Sequence, residues 1–186
     1  ILSGGRVALI DVCVMEYGDN QRRLFISHAA VGFVATVVEA TGKRSKALGG
    51  TIPYVLALLT TILTYHNKDI TLTLDGHSED IRVSLAAFSN GAYFGGGMKV
   101  APDAELGDGL LDVVVVGDVG RFEFLRTFPR VYNGTHLTHP KVSLKRAYCA
   151  RLESTTERVL VEADGEFIGE TPVSFSVLPG ALSVVI

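Results

Sequence analysis

From residue 70 onward the chain is cut into short β-branched runs by turn residues, and that rhythm limits the fold more than any other feature. Ile70 to Leu74 and Ile81 to Phe88 alternate apolar and polar residues, as half-buried strands do. Leu110 to Val116, Val142 to Tyr148, Arg158 to Ala163, Pro172 to Val177 and Leu182 to Ile186 read as further strands. Asp75-Gly76, Gly117-Asp118-Val119-Gly120, Asp164-Gly165, Gly169-Glu170 and Pro179-Gly180 read as the turns between them.

The first third carries two more strands, then helices. Arg6 to Met15 and Arg23 to His28, joined by the turn Tyr17-Gly18-Asp19-Asn20-Gln21, predict a hairpin. Over Ala29 to Thr41, Ala, Val and Phe recur at helical spacing, with Gly42 as a stop and Lys43-Arg44-Ser45-Lys46 as a basic loop open to solvent or to a lipid headgroup. Thr51 to Tyr65 predicts a helix capped by Thr51, with Pro53 in its first turn and leucines at 56, 59 and 63. That helix is apolar nearly all round, which suits burial on a sheet face or a wall for an acyl chain. Arg121 to Tyr132 predicts a third helix bent near Pro129, and Asn133 to Pro140 a loop. Many short strands with two or three helices imply an α+β domain built mainly as an antiparallel β-sandwich.

At 186 residues the chain fits one domain, and 47% hydrophobic against 20% charged residues is enough for a real core. A net charge of −3 argues against a nucleic-acid partner. Cys13 and Cys149 lack metal-like spacing and suit a reduced, cytoplasmic setting. The longest apolar run, Ile52 to Leu63, is shorter than the roughly 20 residues a membrane helix needs. The start, Ile1-Leu2-Ser3-Gly4-Gly5-Arg6, reads like the middle of a protein, so a domain of a longer chain is expected.

Between the strands ending at Phe88 and starting at Leu110 lies NGAYFGGGMKVAPDAELGDGLLDV. Gly95, Gly96 and Gly97 free the backbone for φ > 0 or close approach of another group. Asp103, Glu105, Asp108 and Asp112 are hard oxygen donors crowded together, either solvated or bound to a cation. Their offsets do not make an EF-hand, and no Walker A loop follows the glycines. Glu162-Ala163-Asp164-Gly165-Glu166 taken alone is a hairpin turn. His28, His66, His77, His136 and His139 form no ligand pattern; His136 and His139, three apart in a loop, read as surface residues, and no serine sits in a nucleophile elbow.

Three features together resemble the diacylglycerol kinase-like lipid kinases, a family that includes the sphingosine and ceramide kinases. These are the Asn-Gly start, Gly triplet, Ala-Pro-Asp-Ala step and Asp-Gly-Leu-Leu-Asp end of the central stretch; the Asp-Gly-Glu at 164–166; and the Leu178-Pro179-Gly180-Ala181-Leu182 run. The resemblance implies the C-terminal β-sandwich half, over 1–186, of a two-domain enzyme. ATP would be bound mainly by an N-terminal half carrying Gly-Gly-Asp-Gly, which this sequence lacks, so the chain alone is expected to be inactive. It implies Mg²⁺ on Asp108, with the carbonyls of Glu105 and Leu110. It implies catalysis by the acids of the second motif: Glu166 as general base and Asp164 as supporting acid or alternative base. Asn90 and Gly95 to Gly97 would line the substrate cleft. The substrate would be a diacylglycerol-like lipid met peripherally at the membrane surface, and exposed apolar area would permit a homodimer.

Ser27, Ala30 and Val34 stand where the family pattern carries Asn, Ser and Asp. Those exchanges remove polar groups near the implied cleft. A kinase for a soluble alcohol, related to the NAD kinases, and a non-catalytic sandwich that binds lipid or a protein remain alternatives.

Overall fold

The computed structural model describes residues 5–48, 51–154 and 156–186, with side chains between 43 and 56 outside the description. Among the described residues, twelve strands form two antiparallel sheets of six. One sheet runs β2 (Gln21–Phe25), β1 (Val7–Tyr17), β12 (Val173–Val185), β9 (Cys149–Glu153), β4 (Lys68–Leu74) and β5 (His77–Val83). The other runs β11 (Glu166–Glu170), β10 (Leu160–Ala163), β3 (His28–Gly32), β6 (Leu85–Ser89), β7 (Leu111–Val116) and β8 (Val142–Ala147). The expected α+β sandwich is therefore the fold.

The main core lies between the sheets. It is centred on aromatic rings from three strands: Phe88 stacks on Phe175 at 4.1 Å, and Phe25 meets Phe175 edge-on at 6.2 Å. A second apolar cluster covers the outer face of the β3-containing sheet. There α1 (Phe33–Leu48), α2 (Thr51–Thr64) and α3 (Arg121–Thr127) lay Phe33, Val37, Ala57 and Phe124 over Ala30, Ala87 and Val114.

The structure moves several boundaries. The helical spacing over Ala29 to Thr41 divides: His28–Gly32 is a strand, and the helix starts at Phe33. Ala29 and Val31 face the core while Ala30 packs under the helices. A strand buried on both faces loses the alternation that would reveal it. Gly32, at φ +89°, turns the chain into the helix. The helix then runs through Gly42 to Leu48, so Lys43-Arg44-Ser45-Lys46 is helical in backbone rather than a loop. A mid-helix glycine costs about 1 kcal/mol, which packing of Phe33, Ala35 and Val37 offsets. The lipid-headgroup contact of those basic side chains and the cap at Thr51 lie outside the described residues.

At the other end, Pro179-Gly180 is no turn. It lies inside the 13-residue β12, opposite a register shift in β1 between Ile10 and Val12. A bulge accommodates both the missing proline N–H and a glycine at φ +59°. Gly169 and Glu170 are likewise strand, and the run read as Val142 to Tyr148 is followed by a further strand, β9, with Ala150 and Leu152 alternately buried.

Candidate functional site

Two hydrogen-bonded corners carry the residues of interest. The first is the β10–β11 hairpin. Asp164 (φ +46°) and Gly165 (φ +81°) form its two-residue turn with left-handed backbone. The Asp164 carboxylate reaches back to the break between β2 and β3. Oδ2 accepts the Ile26 amide at 2.9 Å, and Oδ1 accepts those of Ser27 at 3.0 Å and His28 at 3.1 Å. Glu166, on the far side of the turn, is 66% exposed in its side chain and pairs with Arg23 of β2.

Asp75 does the same work elsewhere. Its turn, with Gly76, has the same left-handed backbone, and its Oδ1 accepts the amides of Tyr148 and Cys149, each at 3.0 Å. Nothing in the sequence gives Asp75 a chemical role. Capping a chain break is thus a sufficient structural use of an Asp-Gly turn, and chemistry at Asp164 needs further support from its neighbours.

The second corner is the acidic loop, and the anchor there is Asp11 of β1, which no sequence motif marks. Its side chain is buried. Oδ2 accepts the Gly109 amide and Oδ1 that of Gly180, both at 2.7 Å, while its own amide donates to the Leu106 carbonyl at 2.6 Å. Glu105 is exposed and Asp108 half-buried. Asp108 folds onto its own loop, accepting the Leu110 amide at 3.0 Å. Asp112 has left the loop for β7, buried against Arg146 at 3.1 Å. Burial raises its pKa while Arg146 opposes that rise.

Asn90 joins the corners. It is buried, and its Nδ2 donates to the carbonyls of Asp11 at 3.1 Å and Ile26 at 2.9 Å. A continuous path therefore runs from Gly109 through Asp11, Asn90 and Ile26 to Asp164. Gly95 to Gly97 lie outside this path, exposed in a 3₁₀ turn closed by a Phe94–Met98 bridge. Gly96 and Gly97 use φ +73° and +79°, and a Cβ at any of the three would meet open space. Backbone conformation, not close packing, accounts for glycine at 96 and 97.

The loop's fit to Mg²⁺ rests on its donor chemistry. Among the described residues no three His, Cys, Asp or Glu side chains converge as a metal group. The loop offers the carboxylates of Asp103, Glu105 and Asp108 with the carbonyls of Glu105 and Leu110. These hard oxygens fit a magnesium ion that keeps several of its waters, and do not fit a zinc site.

Beside the hairpin lie two groups the sequence did not single out. Glu162 has 0% exposure; its Oε2 accepts the Gly165 amide at 2.9 Å, and its buried Oε1 has no hydrogen-bond partner. Burial pushes its pKa up to about 8, with the Asp164 charge adding to the rise. His28 is also buried, with its pKa lowered by burial to about 4. Its ring stacks on Phe94 at 3.6 Å between centroids. Glu162 was visible inside the second motif, but which face of β10 it occupies depends on pairing that the sequence does not state.

Phe94 leads to the other large feature, an apolar cleft of about 930 Å³ including its open mouth. It runs between α1, α2, α3 and the outer face of the β3-containing sheet. Val34, Leu58, Met98, Val114 and Phe128 are among its walls. His136 and His139 line it too, which corrects their reading as surface residues. His136 is buried, with Nε2 2.9 Å from the Val100 carbonyl, and His139 sits 3.3 Å from Glu123. Ala57 and Ile62 of α2 are buried and Leu58 faces the cleft, while Leu59 and Leu63 are exposed, so α2 both packs on the sheet and walls the cleft.

Comparison with known proteins bears on the family and the fold. A family model described as the YegS C-terminal NAD kinase beta sandwich-like domain matches residues 27–186. A diacylglycerol kinase of Mycobacterium tuberculosis (strain ATCC 25618 / H37Rv) is 31% identical over 185 residues, covering 99% of this chain and 59% of that protein. One from Staphylococcus carnosus (strain TM300) is 27% identical over 163 residues, covering 87% of this chain and 52% of its own length. The crystal structure of a diacylglycerol kinase from Bacillus anthracis str. Sterne shares the fold at TM-score 0.60 and 18% identity, over 96% of this chain and 53% of that one. The chain thus spans between half and two thirds of the length of these relatives. Sheet architecture and the family match converge: the chain belongs to the family of YegS C-terminal, NAD kinase-like β-sandwich domains.

Proposed function

We propose that this chain is the acceptor-side domain of an ATP-dependent lipid kinase that phosphorylates the hydroxyl of a diacylglycerol-like lipid. The observation that carries the reading is the junction between cleft and hairpin. Phe94, a wall of the apolar cleft, stacks on His28, whose own amide is held by Asp164. An acyl chain in the cleft would thereby bring its headgroup toward the acidic turn. Two acids at that turn can accept the hydroxyl proton as the oxygen attacks phosphorus. We favour Asp164 over Glu166 as the base. Three amide donors fix the Asp164 carboxylate in place, and a carboxylate has about four lone-pair positions, so one remains for substrate. Glu166, anchored through Arg23 at the surface, serves as the second acid.

When bound, Mg²⁺ supplies charge neutralisation near the transferring phosphate, and Asp108 with the Glu105 and Leu110 carbonyls would hold it. Asp11 presents that loop, and Asn90 fixes its distance from the turn. ATP itself would be bound mainly by an N-terminal half. The exposed apolar residues Val7, Leu9, Leu178 and Val185, all on neighbouring β1 and β12, suit contact with such a half. No helix among the described residues is long and apolar enough to cross a membrane. Leu59 and Leu63 on α2, with Phe122 on α3 at 89% exposure, suit peripheral contact with lipid near the cleft.

The test is ATP-dependent phosphorylation of a mixed lipid extract by the full-length protein, beside Asp164→Asn and Glu166→Gln. Asparagine can keep a carbonyl oxygen toward the amides of Ser27 and His28 while losing the charge. The expected result is a labelled lipid that disappears in Asp164→Asn, with a smaller loss in Glu166→Gln. Turnover of NAD or a soluble alcohol without any lipid product would move the protein to the NAD kinase-like branch.

A further inference from the structure

Glu162 poses a question the phosphoryl-transfer scheme leaves open. A fully buried carboxyl group with one oxygen unpartnered is costly, and proteins keep such groups rarely. Three neighbours set its circumstances. Its Oε2 holds the Gly165 amide, the centre of the acidic turn. Its Oε1 lies 3.6 Å from His28 Nε2, just beyond hydrogen-bond length. His28 Nδ1 in turn lies 3.3 Å from Ser27 Oγ, which donates to the Tyr93 carbonyl at 3.2 Å. The Ser27 amide donates to Asp164.

We propose that Glu162 is a positioning residue of the Asp164–Glu166 turn, held in a chain of directed protons with His28 and Ser27. The direction of each proton follows from the donors. Ser27 Oγ–H is committed to the Tyr93 carbonyl, so its oxygen accepts from His28 Nδ1–H. That tautomer leaves Nε2 as an acceptor. Glu162 Oε1 then carries the acid proton and points it at Nε2, while Oε2 accepts from Gly165. In this arrangement His28 Nε2 is the acceptor nearest the acid proton, and the carboxyl stays uncharged. Losing that proton would put a buried negative charge beside Asp164 and change the bond that shapes the turn. The inference rests on the reading of the turn as the proton acceptor.

The charged groups on the packed elements are few among the described residues. His28 lies on β3. Asp164 and Glu166 bracket the turn, the latter paired with Arg23 of β2. On α1, which covers β10, the acid is Glu39, whose charge bears on Arg158. Arg158 itself pairs with Glu170 of β11. Of these, Asp164 is the one whose charge acts on Glu162, and it favours the protonated form.

The experiment follows the amide resonances of Ser27, His28 and Gly165 by NMR between pH 6 and 9.5. In the wild type the Gly165 amide is expected to titrate with a midpoint of about 8. In Glu162→Gln, an isostere of the neutral acid, that titration disappears. Ser27→Ala is a second, half-buried site that does not depend on how Gln is tolerated. Without the Ser27 oxygen the His28 proton moves to Nε2 and donates to Glu162, so the midpoint falls by about half a pH unit or more. A Gly165 titration that persists in Glu162→Gln, or an unmoved midpoint in Ser27→Ala, overturns the proposal. In the lipid assay the alkaline limb of kcat moves upward in Glu162→Gln if the chain acts on the turn; an unmoved limb overturns its positioning role. Silence of the wild type on every lipid overturns the functional reading instead, and the Gly165 titration then still decides the chain.

Discussion

Asp11 gives up water on both carboxylate oxygens and receives two backbone amides in exchange, from Gly109 and Gly180. Removing it leaves the half-buried Gly109 amide and the exposed Gly180 amide without their acceptor. Asp11→Ala is expected to cost about 2–4 kcal/mol, read as a lowered urea midpoint at unchanged slope. Glu162 and His28 predict a pH dependence whose sign can be worked out. The Glu162 pKa rises from 4.5 to about 8 on folding, so its contribution to stability is fully present below 4.5 and is lost as pH rises through about 8. The His28 pKa falls from 6.5 to about 4, so its contribution is present above 6.5 and is lost as pH falls toward about 4. The two trends oppose each other between 4.5 and 6.5, which leaves Glu162 alone above 6.5. Stability is expected to fall between pH 6.5 and about 8, by at most roughly 1.4 kcal/mol per pH unit, and Glu162→Gln removes that slope in denaturation curves.

Turns decide how well the strands hold their register. At Gly165 (φ +81°) an added Cβ meets open space, so Gly165→Ala carries only the left-handed strain of roughly 1–2 kcal/mol. At Gly32 (φ +89°) the added atom would lie 2.7 Å from the Tyr65 hydroxyl and 2.9 Å from the Ser84 carbonyl. The Ser84 carbonyl accepts the Phe33 amide and cannot withdraw without breaking the strand-to-helix corner. Gly32→Ala is therefore the worse change, at roughly 3 kcal/mol or more, and a pair of thermal melts ranks the two. Hairpin turns such as Asp75-Gly76 and Asp164-Gly165 were legible because their residue types serve one backbone geometry. β3 was not, because Ala29, Ala30 and Val31 suit either a helix or a strand buried on both faces. The partners that settle it, β6 and β10, come more than 50 residues later in the chain.

For the whole molecule, the cleft and its exposed surroundings set the expected behaviour. Val34→Trp should fill part of the cleft and raise KM for a long-chain lipid more than it lowers kcat on a short-chain one. Equal loss on both substrates would mean the cleft does not hold the acyl chain. Leu63→Glu with Phe122→Glu should reduce co-sedimentation with vesicles, because both side chains stand largely exposed beside the cleft. Unchanged vesicle binding would place the lipid contact elsewhere on the surface.

The sequence by itself determined the sandwich class, the positions of most of its strands and the two family motifs, because side-chain alternation and turn chemistry are local properties. It also marked Asp164, Glu166 and the acidic loop as the places to look. Only the tertiary structure decided what holds them. Asp11, Asn90, His28 and Glu162 act on segments as far as 169 residues away, as in the bond from Gly180 to Asp11. Their partners are backbone amides and carbonyls, which look the same at every position of a sequence. A buried carboxyl group and a surface one are written with the same letter, and the difference between them is the water that folding removes.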